Sequence, residues 1–145
     1  MDSQQLLYDI RELSHLFRES ASIETLLNRA VEMVARRTAS PVCSIYLYNP
    51  QTQELTLRAT QGLHPESVGR VQLKLGEGLV GLALQEMRPV CESDAGRNPN
   101  YRFFPGIFEE RYNAFLVVPI ARGMSKMGVL VLQRESGQCY AESDI

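Results

Sequence analysis

The chain has 145 residues, 44% of them hydrophobic and 22% charged, a size and balance that suit one domain around one core and leave little room for a second. A formal charge of -2 provides no basic excess to neutralise several phosphates, so nucleic acid is set aside as a partner. Cys43, Cys91 and Cys139 lie far apart, without CxxC spacing or neighbouring histidines, which argues against a metal site and reads as free thiols.

No apolar run approaches the roughly 20 residues that a bilayer demands, and MDSQQLLYDI lacks the pattern of a signal peptide; the expected compartment is the cytoplasm, with no membrane partner. Leu6, Ile10, Leu13 and Phe17, reinforced by Leu7 and Leu16, recur at helical spacing and predict an amphipathic helix. Ser22 is placed to cap a second helix carrying Ile23, Leu26, Leu27, Ala30, Val31 and Val34, which ends near Arg36 and Arg37 ahead of Pro41. The period then changes. VCSIYLY (42–48) alternates, runs into the turn NPQTQE, and returns as ELTLRAT (54–60); so short a link makes the pair antiparallel.

RVQLKL (70–75) is a third alternating segment, GEGLVGLALQEM (76–87) a glycine-rich turn opening a short helix, and PVCES (89–93) a brief strand. FLVVPIAR (115–122) and GVLVLQR (128–134) form a last hairpin around Gly123 to Gly128, with Pro119 tolerated only where the sheet needs no donor from its nitrogen. This order predicts an α+β fold with an antiparallel sheet. Between Ser93 and Arg111 no strand pattern is visible, and connections beyond about 15 residues are functional or disordered. The aromatic residues Tyr101, Phe103, Phe104, Phe108 and Tyr112 argue against disorder, and the segment is expected to fold over one face of the sheet. YAESDI ends the chain where a helix covering the sheet would only begin, so the expectation is a single domain, 1–145, truncated within its last helix.

Gly76, Gly78 and Gly81 form a GxGxxG match, with Asp94 near the distance of a dinucleotide-binding acid. Three features oppose that reading. RVQLKL alternates where a doubly buried parallel strand would be continuously apolar, Glu77 sets a carboxylate where a pyrophosphate would lie, and only a hairpin follows Asp94. The glycines are read as a tight turn, with Glu77 favouring the helix start.

Alternation puts Cys43, Ile45 and Leu47 on one face of the first strand, toward the helices, and Ser44, Tyr46 and Tyr48 on the other. A face that mixes apolar walls with hydroxyls suits a small-molecule pocket. Arg97, Arg102 and Arg111 lie in or beside the aromatic connection, where a guanidinium could grip a carboxylate. The expected ligand-binding set is Ser44, Tyr46, Tyr48, Tyr101, Phe103, Phe104, Phe108, Arg111 and Tyr112. His15 and His64 have no neighbours that would make a nucleophile or metal site and read as structural or solvated. No catalytic residue, metal or cofactor is expected.

LKLGEGLVGLALQEMRPV and AFLVVPIARGMSKMGVLVLQ resemble two characteristic stretches of the GAF domain family, a likeness that extends from about Leu6 to Asp144. PVCSIYL, TQGLHPESVGRVQL and NPNYRFFPGIFEERYNAFLVVPI are similar to the amino-terminal GAF domains of nitrogen-related phosphoenolpyruvate-protein phosphotransferases. The resemblance implies a six-stranded antiparallel sheet, terminal helices on one face, and a pocket on the other roofed by the helix after Gly78 and the long connection. It also implies a regulatory domain, not itself an enzyme, that controls phosphotransferase domains downstream in the same chain in response to a metabolite such as glutamine or 2-oxoglutarate. An NKFDE-type motif is missing, and the cysteines precede Ser44, Glu92 and Tyr140 instead of histidine, so neither cyclic nucleotide nor bilin is implied. The alternative is a dimerisation or scaffold module without ligand, in which the surplus apolar surface of Leu6, Leu7, Ile10, Leu13 and Phe17 packs against a twin helix in a homodimer.

Overall fold

A computed structural model describes residues 22–93, 99, 112 and 114–135. The predicted helix from Leu6 to Phe17, His15, Arg97, Arg102, Cys139 and the final YAESDI lie outside the described residues. So do five of the expected binding residues: Tyr101, Phe103, Phe104, Phe108 and Arg111.

Helix α1 spans Ile23–Arg37. Ser22 caps it: its backbone is extended and its Oγ accepts from the Thr25 N–H at 3.2 Å, satisfying a donor that no helical carbonyl reaches. Glu24 in the first turn and Arg36 and Arg37 in the last complement the helix dipole. The helix stops at Thr38, whose N–H and hydroxyl both turn back onto the Val34 carbonyl, at 3.0 and 2.7 Å.

Six strands follow: β1 Val42–Asn49, β2 Glu54–Gln61, β3 Gln72–Lys74, β4 Val90–Glu92, β5 Ala114–Arg122 and β6 Ser125–Arg134. They form one sheet in the order β3-β2-β1-β6-β5-β4 with every neighbouring pair antiparallel. The expected α+β architecture is therefore present, with β1 and β6 at its centre and three-residue strands at both edges. Helix α2, Gly78–Glu86, joins β3 to β4. A single 3-10 turn, Pro65–Ser67, follows β2, and the His64 Nδ1 accepts from the Glu66 N–H at 3.2 Å, giving His64 the structural role expected of it.

The sheet separates two apolar layers. On one face α1 contributes Val31 and Ala35 to a cluster with Cys43, Ile45, Ala59, Leu116 and Leu132. On the other, α2 contributes Leu79, Val80, Ala83 and Leu84 to a cluster with Tyr46, Leu55, Leu57, Leu73, Val117, Val129 and Val131. The mixed composition of β1 had pointed to this division. No helix among the described residues is long and apolar enough to cross a membrane.

Two local features differ from the sequence-based expectation. The last hairpin closes through the two residues Gly123 and Met124, with Arg122 paired to Ser125, so β6 begins three residues before Gly128. Exposed Ser125 and Met127 give this stretch no alternating pattern to read. In β2 the register slips: Ile45 pairs with Ala59 but Tyr46 with Leu57, which leaves Arg58 as the extra residue of a β-bulge.

Candidate functional site

The bulge matters because it reverses the alternation of β2 partway along. Leu55 and Leu57 face α2, and strict alternation would send Ala59 with them; instead Ala59 joins the α1 cluster. Thr60 is thereby turned to the α2 side, opposite Ser44 in the register, and the two hydroxyls hydrogen-bond at 2.9 Å. Ser44 is completely buried. A buried hydroxyl needs a partner, and a bulge one strand away supplies it.

Of the residues expected to form the site, Ser44, Tyr46 and Tyr48 do share one face of β1, with Tyr46 inside the α2-side cluster and Tyr48 and Tyr112 packed against it. Cys43 and Ile45 lie in the α1-side cluster, and Leu47 packs against it. Register extends the polar strip across the sheet. Val42, Gln133, Phe115 and Glu92 form one cross-strand row, and Thr60, Ser44, Val131, Val117 and Val90 form the next. Directly opposed residues of an antiparallel sheet project to the same side, so Gln133 and Glu92 belong to the face that carries Ser44. Gln133 is only 2% exposed, and its Nε2 donates to the Tyr112 carbonyl at 3.2 Å.

Gln133, Thr60 and Glu92 were not among the expected site residues. Gln133 was legible: Val129, Val131 and Gln133 stand two apart in β6, and a polar residue in such a row of a central strand marks a special position. Glu92 follows in the same way from Val90. Thr60 could not be found by counting, because the bulge is a tertiary feature.

The strip presents hydroxyls, an amide and phenols, with one carboxylate at its end, beside apolar walls. This is hydrogen-bonding equipment for a small polar molecule. The two rows contain no cation, and the guanidinium expected for a carboxylate partner belongs to the segment outside the described residues. Cys43 does not add a nucleophile. Burial pushes its thiol from 9.0 up to about 12, so it is protonated at neutral pH, and it faces α1. Cys91 stands three strands from Cys43 in the same row, on the order of 14 Å at the usual strand spacing. That is beyond disulfide reach, so the two are not joined to each other. Among the described residues no group of three His, Cys, Asp or Glu side chains is placed to hold a metal.

The glycine motif is spent on packing. Gly76 and Gly78 have φ of +87° and +68°, and a Cβ on Gly81 would stand 2.5 Å from the Lys74 carbonyl oxygen. Helix α2 therefore sits against the end of β3 at a distance only glycine permits. Glu77 folds back on the same strand, its carboxylate accepting from the Lys74 N–H at 3.3 Å while its own N–H donates to the Lys74 carbonyl at 2.9 Å. It is the N-cap residue but makes no side-chain cap hydrogen bond, and its carboxylate ties the turn to β3.

A separate cleft of about 510 Å³ lies at the carboxyl end of α1, lined by Glu32, Ala35, Arg36, Ser40, Pro41 and Gln61. Its charged members are exposed and its floor is small-residue surface, which makes it a poorer candidate than the buried strip.

The comparisons with known proteins agree with this geometry. The family model described as a GAF domain matches residues 20–145. The phosphoenolpyruvate-dependent phosphotransferase system protein of Escherichia coli is 32% identical over 115 residues, 79% of this chain and 15% of that protein. Among solved structures, the GAF domain of a phosphoenolpyruvate-protein phosphotransferase from Coxiella burnetii superposes with a TM-score of 0.85 at 30% identity, covering 99% of this chain and 86% of that one. The corresponding GAF domain from Acinetobacter gives a TM-score of 0.81 at 36% identity, with 99% and 85% coverage. The chain thus spans about 15% of the length of the curated phosphotransferase system relatives it matches.

Proposed function

This chain belongs to the GAF domain family, and on that premise we propose that it is a cytoplasmic small-molecule sensor that regulates phosphotransferase domains of a longer chain. The observation that carries this reading is the polar strip of buried Ser44 and Gln133 with half-buried Thr60, beside Tyr46 and Tyr112, set on the sheet face opposite α1. A core of comparable size gains nothing from polar side chains there, since buried Ser44, Tyr46 and Gln133 must each be desolvated and re-bonded. A ligand that uses the hydroxyls and phenols supplies the reason for keeping them. In this proposal Tyr101, Phe103, Phe104, Phe108 and Arg111 complete the site, and the ligand is a metabolite such as glutamine or 2-oxoglutarate.

The mechanism is population shift: the ligand favours one arrangement of the face and its covering segment, and the regulated domains respond to the change in population. A thermal-shift titration of the 145-residue chain with glutamine and with 2-oxoglutarate tests it. At 100 times the dissociation constant a ligand adds about 2.7 kcal/mol, which for a domain of this size raises the melting temperature by several degrees. Unchanged melting at high millimolar concentrations of both would remove these two ligands from the proposal.

One observation favours a dimerisation or scaffold role alongside it. On the α1 side, Leu47, Val118 and Leu130 are only partly buried and Ile120 is 37% exposed. A twin subunit joined through the terminal helices would cover such residues. Sedimentation equilibrium distinguishes the two roles, because a ligand-independent dimer with no metabolite response would establish the scaffold alone.

A further inference from the structure

Two consecutive residues of β6 reach opposite sides of the sheet and hold the end of a different segment on each side. Gln133, buried on the strip face, donates from Nε2 to the carbonyl of Tyr112 at 3.2 Å. Arg134, the next residue, donates from Nη2 to the carbonyl of Thr38, the C-cap residue of α1. Tyr112 ends the aromatic connection in sequence and stands two residues before β5. Thr38 is where α1 ends, its N–H and hydroxyl bonded to Val34 and its hydroxyl also to Ser40 Oγ at 2.8 Å.

We infer that the Gln133–Arg134 pair couples the proposed binding face to the carboxyl end of α1, so that the state of the connection at Tyr112 and the closure of the helix cap at Thr38 are linked equilibria. This deepens the sensing proposal and rests on it for its biological meaning. The coupling itself is a property of the chain without ligand.

The physical case is one of position and stiffness. β6 is a central strand with partners on both sides: Gln133 pairs with Val42 and Phe115, and Arg134 with Ala114. The peptide unit between the two side chains cannot rotate independently of its ladder, so a displacement that breaks or moves one donor is not absorbed by the backbone. Gln133 is buried, and an amide donor so enclosed follows its acceptor or loses it at a cost. The Thr38 carbonyl belongs to the last helical turn, where carbonyls lack intrahelical partners, so withdrawal of the guanidinium weakens closure of that turn. Linkage makes the effect reciprocal.

Hydrogen exchange on the 145-residue chain without ligand provides the test, since amides report local opening. Gln133→Met, which removes the donor while keeping the volume, is expected to speed exchange at Ala114–Leu116 and also, by at least about threefold, at Thr38–Ser40 across the sheet. Arg134→Met is expected to produce the mirror pattern, Arg134→Lys to restore most of the protection, and the double variant to fall short of the product of the single effects at Thr38–Ser40. The inference is overturned if each substitution acts only on its own side of the sheet, or if the two effects multiply without interaction. Should Gln133→Met fail to fold, the far-side response at Ala114–Leu116 in Arg134→Met decides by itself. A chain that ignored both metabolites yet showed the cross-sheet effect would retain the coupling and lose the ligands; the converse would retain the ligands and lose the coupling.

Discussion

The two faces of the sheet are built from the same strands but to different specifications. The α1 side is the simpler: a regular amphipathic helix with a side-chain cap lies on the sheet in a cluster whose buried members among the described residues, helix and strands together, are seven in number. The α2 side is larger, with fifteen buried members among the described residues, and it alone encloses the hydroxyl pair and the tethered glutamine. A face kept only for stability would resemble the first. The second combines more apolar burial with polar groups that must each be satisfied, and this combination is what a binding surface built into a core requires.

The largest effects that would sharpen this contrast are core truncations. Leu57→Ala on the α2 side and Leu116→Ala on the α1 side each remove a side chain that is at most 1% exposed and should cost about 2–5 kcal/mol by urea denaturation. Leu57→Ala is expected to be the costlier, because α1 can shift as a body to close part of a cavity on its side, whereas Leu57 belongs to the larger cluster, whose helix is held against the end of β3 at Gly81. Equal losses would mean that the faces do not differ in how freely they relax.

Next comes a pH effect confined to the α1 side. An unfolded Cys43 thiol ionises from about 9.0 upward, whereas the folded one keeps its proton to about 12 because it is buried. The folded state therefore binds more protons within that window, and stability should fall as pH rises through it, by up to about 1.4 kcal/mol per pH unit. Comparison of denaturation midpoints at pH 8.5 and 10.5 for the native chain and Cys43→Ala isolates the contribution, since the variant lacks this slope but keeps every other titration.

A smaller effect separates the faces by function. Ser44→Ala leaves the Thr60 hydroxyl without its partner and should cost about 1 kcal/mol. If the α2 side is the binding face, Ser44→Ala should also diminish any metabolite-dependent rise in melting temperature. Cys43→Ala, one residue away on the other face, should leave that rise intact. Parallel loss in both variants would indicate a general stability effect instead of a site.

How much of this was visible beforehand depends on the range over which each feature is determined. The cap at Ser22, the faces of β1 and the helix after Gly78 follow from local period and turn chemistry, and all three are present in the structure. The family resemblance rested on the same stretches. The pairing of Thr60 with Ser44 was not visible, because the slip at Arg58 arises from β1 and β2 adjusting to each other and leaves ELTLRAT looking like an ordinary alternating strand. The extension of β6 to Ser125 was hidden for the opposite reason: outside the covered part of the sheet, a strand has no face to bury and loses its pattern.

The bulge also explains the smallest effect worth measuring. Arg58 has no opposite number in β1, and its guanidinium lies 2.8 Å from the Glu24 carboxylate in the first turn of α1. Both side chains are substantially exposed, at 36% and 57%, so solvent screens the pair and its contribution should fall within about 0.2–1 kcal/mol. Arg58→Ala is therefore expected to lower the urea midpoint slightly at low salt, and a Glu24→Ala/Arg58→Ala double-mutant cycle should give a coupling that shrinks toward zero in 1 M NaCl, where the Debye length is about 3 Å. The outcome bears on the comparison of faces. If the arginine serves only as a surface tie for α1, the variant will leave exchange at Thr60 and Ser44 unchanged. If the ion pair also holds the bulge in register, removing it will expose those amides on the opposite side, and the α1 face will have been setting the geometry of the polar strip all along.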